Sequence, residues 1–147
     1  MNILNEMELG FESRSSNESF ARSAVGAFVA QLDPTIGELS DIRTAVSEAV
    51  TNCVVHAYRD SIGRITVNVR ITSDNVVIIK IKDKGCGIED IDKAMEPLFT
   101  TAPSEERAGL GFAVMKSFTD SVSVRSRVGK GTTVTLKKIL SRRVGNV

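Results

Sequence analysis

The chain is expected to fold as an α+β protein, a two-layer α/β sandwich with a mostly antiparallel sheet and its helices on one face. Three observations lead there. Ile65, Val67, Val69 and Ile71 alternate with Thr66, Asn68, Arg70 and Thr72, the period of a half-buried strand. Between Asp41 and Tyr58, the residues Ile42, Ala45, Val46, Ala49, Val50, Cys53 and Val54 follow the i, i+3, i+4, i+7 spacing of one buried helix face. The strand-like stretches are joined by short turns, which pair neighbours antiparallel, and helices gathered on one side of such a sheet give two layers.

Taken in order, Met7, Leu9 and Phe11 alternate with Glu8, Gly10 and Glu12 as a short half-buried strand at a sheet edge. Ser15 precedes Glu18 in a capping-box pattern, opening a helix to about Gln31 with Phe20, Ala24, Phe28 and Leu32 toward the core. Asp33-Pro34 ends it, and a second capping box, Thr35 with Glu38, opens the central helix. The alternating strand at 65–72 turns through Ser73-Asp74-Asn75 into a strand from Val76 to Lys82. Its start is apolar on both faces, so it belongs centrally in the sheet. A short helical piece is expected near Asp90 to Met95, then a polar loop from Leu98 to Ala108. Gly109-Leu110-Gly111 opens a helix carrying Phe112, Val114, Met115 and Phe118. Strands at Ser121 to Arg127 and Thr132 to Ile139 close the fold, with a frayed tail from Ser141.

At 147 residues the chain is read as one domain, 1–147, large enough to bury roughly 70% of its unfolded surface. A net charge of +1 gives no overall field to draw nucleic acid or an anionic membrane. Cys53 and Cys86 match neither a zinc spacing nor a redox pair, as in a cytoplasmic protein with reduced thiols. No apolar run approaches the ~20 residues of a membrane span, and the N-terminus lacks a secretory pattern.

Three stretches carry candidate chemistry. Glu48 and Asn52 lie one helical turn apart beside the buried stripe, a carboxylate and a carboxamide that a pocket floor or a plain solvated face would equally accommodate. Asp83-x-Gly85-x-Gly87 sits where a strand ends. Glycines there admit a close ligand, and the aspartate can accept a hydrogen bond from an exocyclic amine, although a solvated turn has the same composition. Gly109-x-Gly111 follows a polar loop at a helix start, where free backbone N–H groups favour an anion. Neither a Walker-type phosphate loop nor a Gly-x-Gly-x-x-Gly fingerprint is present.

In this order and spacing, ending on Gly131-Thr132-Thr133, these motifs resemble the ATP-binding domain of the GHKL superfamily, the Bergerat fold, over almost the whole chain. Asn17-Glu-Ser-Phe-Ala-Arg22, Ala30-Gln-Leu-Asp-Pro34, Ser47-Glu-Ala-Val-Thr-Asn52, and Pro97-Leu-Phe-Thr-Thr101 with Glu106-Arg107 before Gly109-Leu-Gly-Phe112 further resemble the anti-sigma F factor family of spore-forming bacteria. Ala57 departs from it, since that family commonly has glycine after the helix histidine. The resemblance implies an ATP-dependent serine kinase that binds ATP or ADP with Mg²⁺. It also implies an inhibited sigma factor as partner, an anti-anti-sigma protein as substrate, and a homodimer. It makes Glu48 the general base and Asn52 the Mg²⁺ ligand. Asp83 would read adenine with Thr133 nearby, and Gly85 and Gly87 would let the base approach. Thr100, Thr101, Arg107, Gly109, Leu110 and Gly111 would serve the phosphates, and Arg22 would serve partners. A sister kinase for a stress sigma factor and a nucleotide-gated module without kinase activity remain the alternatives. His56, the single histidine, lies near the C-terminal end of the central helix, a position the dipole favours, and is read as non-catalytic and not as a phosphoacceptor.

Overall fold

The computed structural model describes residues 2–96 and 111–141. Five strands form one sheet: β1 (Ile3–Glu12), β2 (Arg64–Thr72), β3 (Val76–Asp83), β4 (Ser121–Arg127) and β5 (Gly131–Ile139). Their spatial order is β1-β2-β3-β5-β4, with every neighbouring pair antiparallel. β3 is therefore central and β1 lies at an edge, as the patterns predict. β4 takes the far edge, and β5 returns between it and β3. This insertion places Thr132 opposite Asp83.

The helices are α1 (Ser16–Val29), continued by a 3₁₀ turn at Ala30–Leu32, α2 (Ile36–Asn52), α3 (Ile91–Ala94) and α4 (Gly111–Phe118). α2 packs between α1 and α4. Its stripe of Ile42, Ala45, Val46, Ala49 and Val50 is buried with Val67, Val69, Ile79, Ile81 and Leu136 of the sheet. Each such aliphatic side chain contributes roughly 1.5–3 kcal/mol on leaving water. The other sheet face is polar, and Arg70 pairs there with Glu6 at 2.8 Å.

Of the two expected capping boxes, one forms. Thr35 Oγ1 accepts from the Glu38 N–H at 3.0 Å, and Glu38 Oε1 accepts from the Thr35 N–H at 2.9 Å. Ser15 is already in helical geometry, with φ −58° and ψ −32°, and its side chain caps nothing. Glu18 instead accepts the Ser47 hydroxyl of α2. The buried stripe of α1 also corrects the expectation. Ala21, Val25 and Val29 are buried at i, i+4 spacing, whereas Phe20 is 51% exposed and packs edge-on to Phe11. A helix whose stripe is small lets α2 approach, and the larger Phe28 and Leu32 pack partly buried at its margin. Ser141 is not frayed: its N–H donates to Glu38 Oε2 at 2.7 Å, beside buried Leu140.

The central helix does not run unchanged to Tyr58. From Cys53 to Ala57 it widens into a π turn, in which the Tyr58 N–H reaches the Cys53 carbonyl at 3.1 Å. Such turns concentrate at functional sites.

Candidate functional site

A cavity of about 920 Å³ opens between the end of α2, the loop after β3, α3, the start of α4 and β5. That volume suits a small organic ligand. Its strand wall holds Asp83, which ends β3 and is 5% exposed. Asp83 Oδ1 accepts from the Gly85 N–H at 2.9 Å and from the Thr132 N–H at 3.2 Å. Its Oδ2 accepts from the Cys53 thiol at 3.5 Å. Burial raises the Asp83 pKa, and these three donors work against that rise. The result is a buried acceptor fixed at the cavity floor.

Gly85 and Gly87 serve the frame around that acceptor. A Cβ at Gly85 would stand 2.4 Å from the Ala57 carbonyl oxygen, and Gly85 does not line the cavity. Ala57 O accepts the Cys86 N–H at 3.1 Å, so the π turn and the loop after β3 are joined backbone to backbone. Gly87 does line the cavity, with φ +79°, and a Cβ there would meet the Arg127 carbonyl at 2.3 Å. Both glycines are thus held close to neighbouring backbone, and of the two Gly87 lines the cavity. Tyr58 completes the frame, its hydroxyl accepting from the Lys84 N–H at 2.6 Å and donating to Arg64 O at 2.7 Å.

The helix wall carries Ala49, Asn52, Cys53 and His56. A Cβ at Gly111 would come within 2.9 Å of Asn52 Oδ1, so the start of α4 lies directly against the carboxamide. Asn52 and Gly111 are therefore brought together at the cavity with Asp83. Glu48, one turn earlier, is half-buried on α2 and is not among the residues lining the cavity. Thr133 is corrected by one position. Strand alternation turns Thr132 and Val134 into the cavity and Thr133 to the opposite face of the sheet. Thr132 is buried, and its hydroxyl lies 2.7 Å from that of Ser126. Thr100, Thr101, Arg107, Gly109 and Leu110 lie outside the described residues.

Arg22 stands away from the cavity on α1, 3.9 Å from Glu18. Its Nε is shielded from solvent and finds no hydrogen-bond partner among the described residues. Two site residues escaped the sequence reading. Thr132 differs from Thr133 only in strand phase, which Asp83 would have fixed had the pairing been known. Cys53 carried only an apolar signal. Among the described residues, no group of three or more His, Cys, Asp or Glu could hold a metal ion. A divalent cation would therefore lean on Asn52 and on ligand oxygens, which suits Mg²⁺. No helix among the described residues is long and apolar enough to cross a membrane.

A helix wall with a carboxamide facing a buried strand-end aspartate is the arrangement expected of the resembling ATP-binding fold. The family model for the histidine kinase-like ATPase domain matches residues 11–138. The chain belongs to this family. It is 58% identical to the anti-sigma F factor of Caldanaerobacter subterraneus subsp. tengcongensis, over 97% of this chain and 99% of that one. It is 55% identical to the anti-sigma F factor of Geobacillus kaustophilus, over 94% of each chain. Among solved structures, the RsbU and RsbW domains of a Mycobacterium tuberculosis protein match with a TM-score of 0.69 at 22% identity, covering 95% of this chain and 33% of that one. A mycobacterial sensor histidine kinase, MprB, matches with a TM-score of 0.57 at 15% identity, covering 93% and 100%. These structural likenesses bear on the fold, and they agree with the α+β sandwich expected.

Proposed function

We propose that the chain binds ATP and ADP in this cavity, phosphorylates a serine of an anti-anti-sigma partner, and binds and inhibits the sporulation sigma factor F in a nucleotide-dependent way. The observation that carries the nucleotide reading is the buried Asp83 carboxylate, fixed by three donors at the floor of a cavity whose helix wall bears Asn52. Adenine offers an exocyclic amine to such an acceptor, where guanine presents a carbonyl. The partners come from the relatives named anti-sigma F factor, together with the motifs around Arg22 and Glu48. The working unit is a cytoplasmic homodimer in this reading.

In the transfer itself, the partner's serine oxygen forms a bond to the γ-phosphorus as the bond to the ADP oxygen breaks. Glu48 takes the serine proton. Asn52 would offer a neutral oxygen to Mg²⁺, which when bound would gather phosphate charge. Gly111, the first described residue of α4, lines the cavity, and backbone N–H groups at a helix start favour phosphate. The placement of Glu48 outside the cavity lining favours one second reading, a nucleotide-gated binding module without kinase activity. A sister kinase for a stress sigma factor differs only in its partner.

Label transfer from γ-labelled ATP separates these. Label on the anti-anti-sigma protein in a single turnover supports the kinase. Nucleotide-dependent sigma binding with no transfer supports the gate. Failure to bind ATP removes both.

A further inference from the structure

Cys53 is buried at the first residue of the π turn, and with Asp83 it lines the cavity floor. Its thiol is the donor of the contact to Asp83 Oδ2. A carboxylate oxygen has two acceptor positions. Those of Asp83 Oδ1 are filled by the Gly85 and Thr132 N–H groups at 2.9 and 3.2 Å. Among the described residues Oδ2 receives only the thiol, at 3.5 Å, and keeps one position open. The two N–H bonds anchor one oxygen, and a contact to the other is what stops the carboxylate plane from turning about it.

We infer, on the reading of the cavity as an adenine nucleotide site, that Cys53 is a positioning residue for base selection: its thiol sets the Asp83 carboxylate plane so that Oδ2 offers its open acceptor to the exocyclic amine. The α2 stripe delivers the thiol to that oxygen: the Cys53 N–H still bonds the Ala49 carbonyl in α register, and the π turn begins there. The competing explanation is packing, since a buried cysteine also behaves as a small apolar side chain. The two differ in what a serine does. Serine keeps a donor and adds polarity, so it satisfies a positioning role and harms a purely apolar one. Alanine and valine keep the apolar character and remove the donor.

The test uses the full chain as wild type, Cys53→Ala, Cys53→Val, Cys53→Ser and Asp83→Asn. ATP and GTP dissociation constants are measured with a melting curve on each sample. The expected result is a loss of about threefold to tenfold in ATP affinity for Cys53→Ala and Cys53→Val, with GTP affinity unchanged. Cys53→Ser should return the ATP-over-GTP ratio to the wild-type value even where its melting temperature is lower. If alanine or valine keeps the wild-type ratio while Asp83→Asn changes it, Cys53 is packing and the adenine reading survives. A serine variant that melts normally yet selects like alanine also overturns the positioning role. Wild-type protein that binds neither nucleotide overturns the site reading, and this role with it.

Discussion

On the strand side of the cavity, everything that matters is tied to backbone. Asp83 is held by two main-chain N–H groups and a thiol, and Gly85 and Gly87 are pressed against other main-chain segments. On the helix side, Asn52 makes no side-chain hydrogen bond to another described residue, and Glu48 stands beside the cavity and not in its lining. One wall is rigid before any ligand arrives, and the other presents side chains that a ligand must engage. A fixed wall suits recognition of a flat, rigid base. A wall of single side chains suits chemistry, because each can be changed without rebuilding the frame.

Three substitutions test that division, and a capping pair stands outside it. The largest effect is expected from Glu48→Gln, which keeps shape and removes the proposed base. Phosphoryl transfer to the partner should slow at least ~100-fold, with ATP affinity and melting temperature unchanged. Single-turnover labelling read beside ATP titration checks it, and lost ATP binding would show Glu48 to be part of the frame. Asn52→Ala comes next. It should weaken ATP binding about tenfold with Mg²⁺ present and little in chelator, on the scale of a lost contact supporting a metal. Equal loss in both conditions would move Asn52 off the metal.

Asp83→Asn strikes the rigid wall. It should cut the preference for ATP over GTP by about tenfold, because the acceptor becomes partly a donor. Stability should move the other way. Burial raises the Asp83 pKa above its ordinary 3.8, so between that value and the raised one the folded protein keeps a proton the unfolded chain has lost. Stability contributed by this group therefore falls as pH rises through that window and is flat above it. Asparagine removes the dependence and the cost of a buried charge. Ligand-free Asp83→Asn should melt no lower than wild type at pH 7, and a much lower melting temperature would mean the carboxylate holds the wall together.

The smallest effect compares the two capping sequences, away from either wall. Thr35→Ala should cost about 1 kcal/mol in denaturant unfolding, and Ser15→Ala should stay within ~0.5 kcal/mol. Equal losses would mean that Ser15 caps its helix in solution.

These cases also mark how far the sequence could be read. Alternation at 65–72 and the Thr35–Glu38 pair were legible because each is decided locally, by pleat and by one turn of helix. Ser15–Glu18 has the same kind of pattern, but Ser47 from a distant segment takes the carboxylate, and no local pattern reveals that competitor. Asp83 was legible as a strand-end acceptor. Thr132 was not, since choosing between Thr132 and Thr133 requires knowing that β5 inserts beside β3. The α1 stripe misled for a related reason. Large apolar residues dominate a periodicity, whereas close helix packing buried the small ones. Cys53 was legible only as an apolar position, because a thiol's hydrogen bond has no sequence signature.

The π turn at Cys53–Ala57 has a consequence for chain length. It holds one residue more than the α turn it replaces, so it behaves as a stable insertion inside a helix. Were the same residues to close in α geometry instead, everything beyond would swing by about 100° around the helix axis. The Ala57 carbonyl would leave the Cys86 N–H, and Tyr58 would leave the Lys84 N–H and the Arg64 carbonyl that it spans. The wide turn absorbs its extra residue and so keeps the segment beyond in phase. A single-codon deletion of Val54, Val55 or His56 would close the turn in α geometry with Ala57 and Tyr58 still in phase, and in a melting curve it should cost far less than a one-residue deletion in the regular turns of α2, where nothing absorbs the shift.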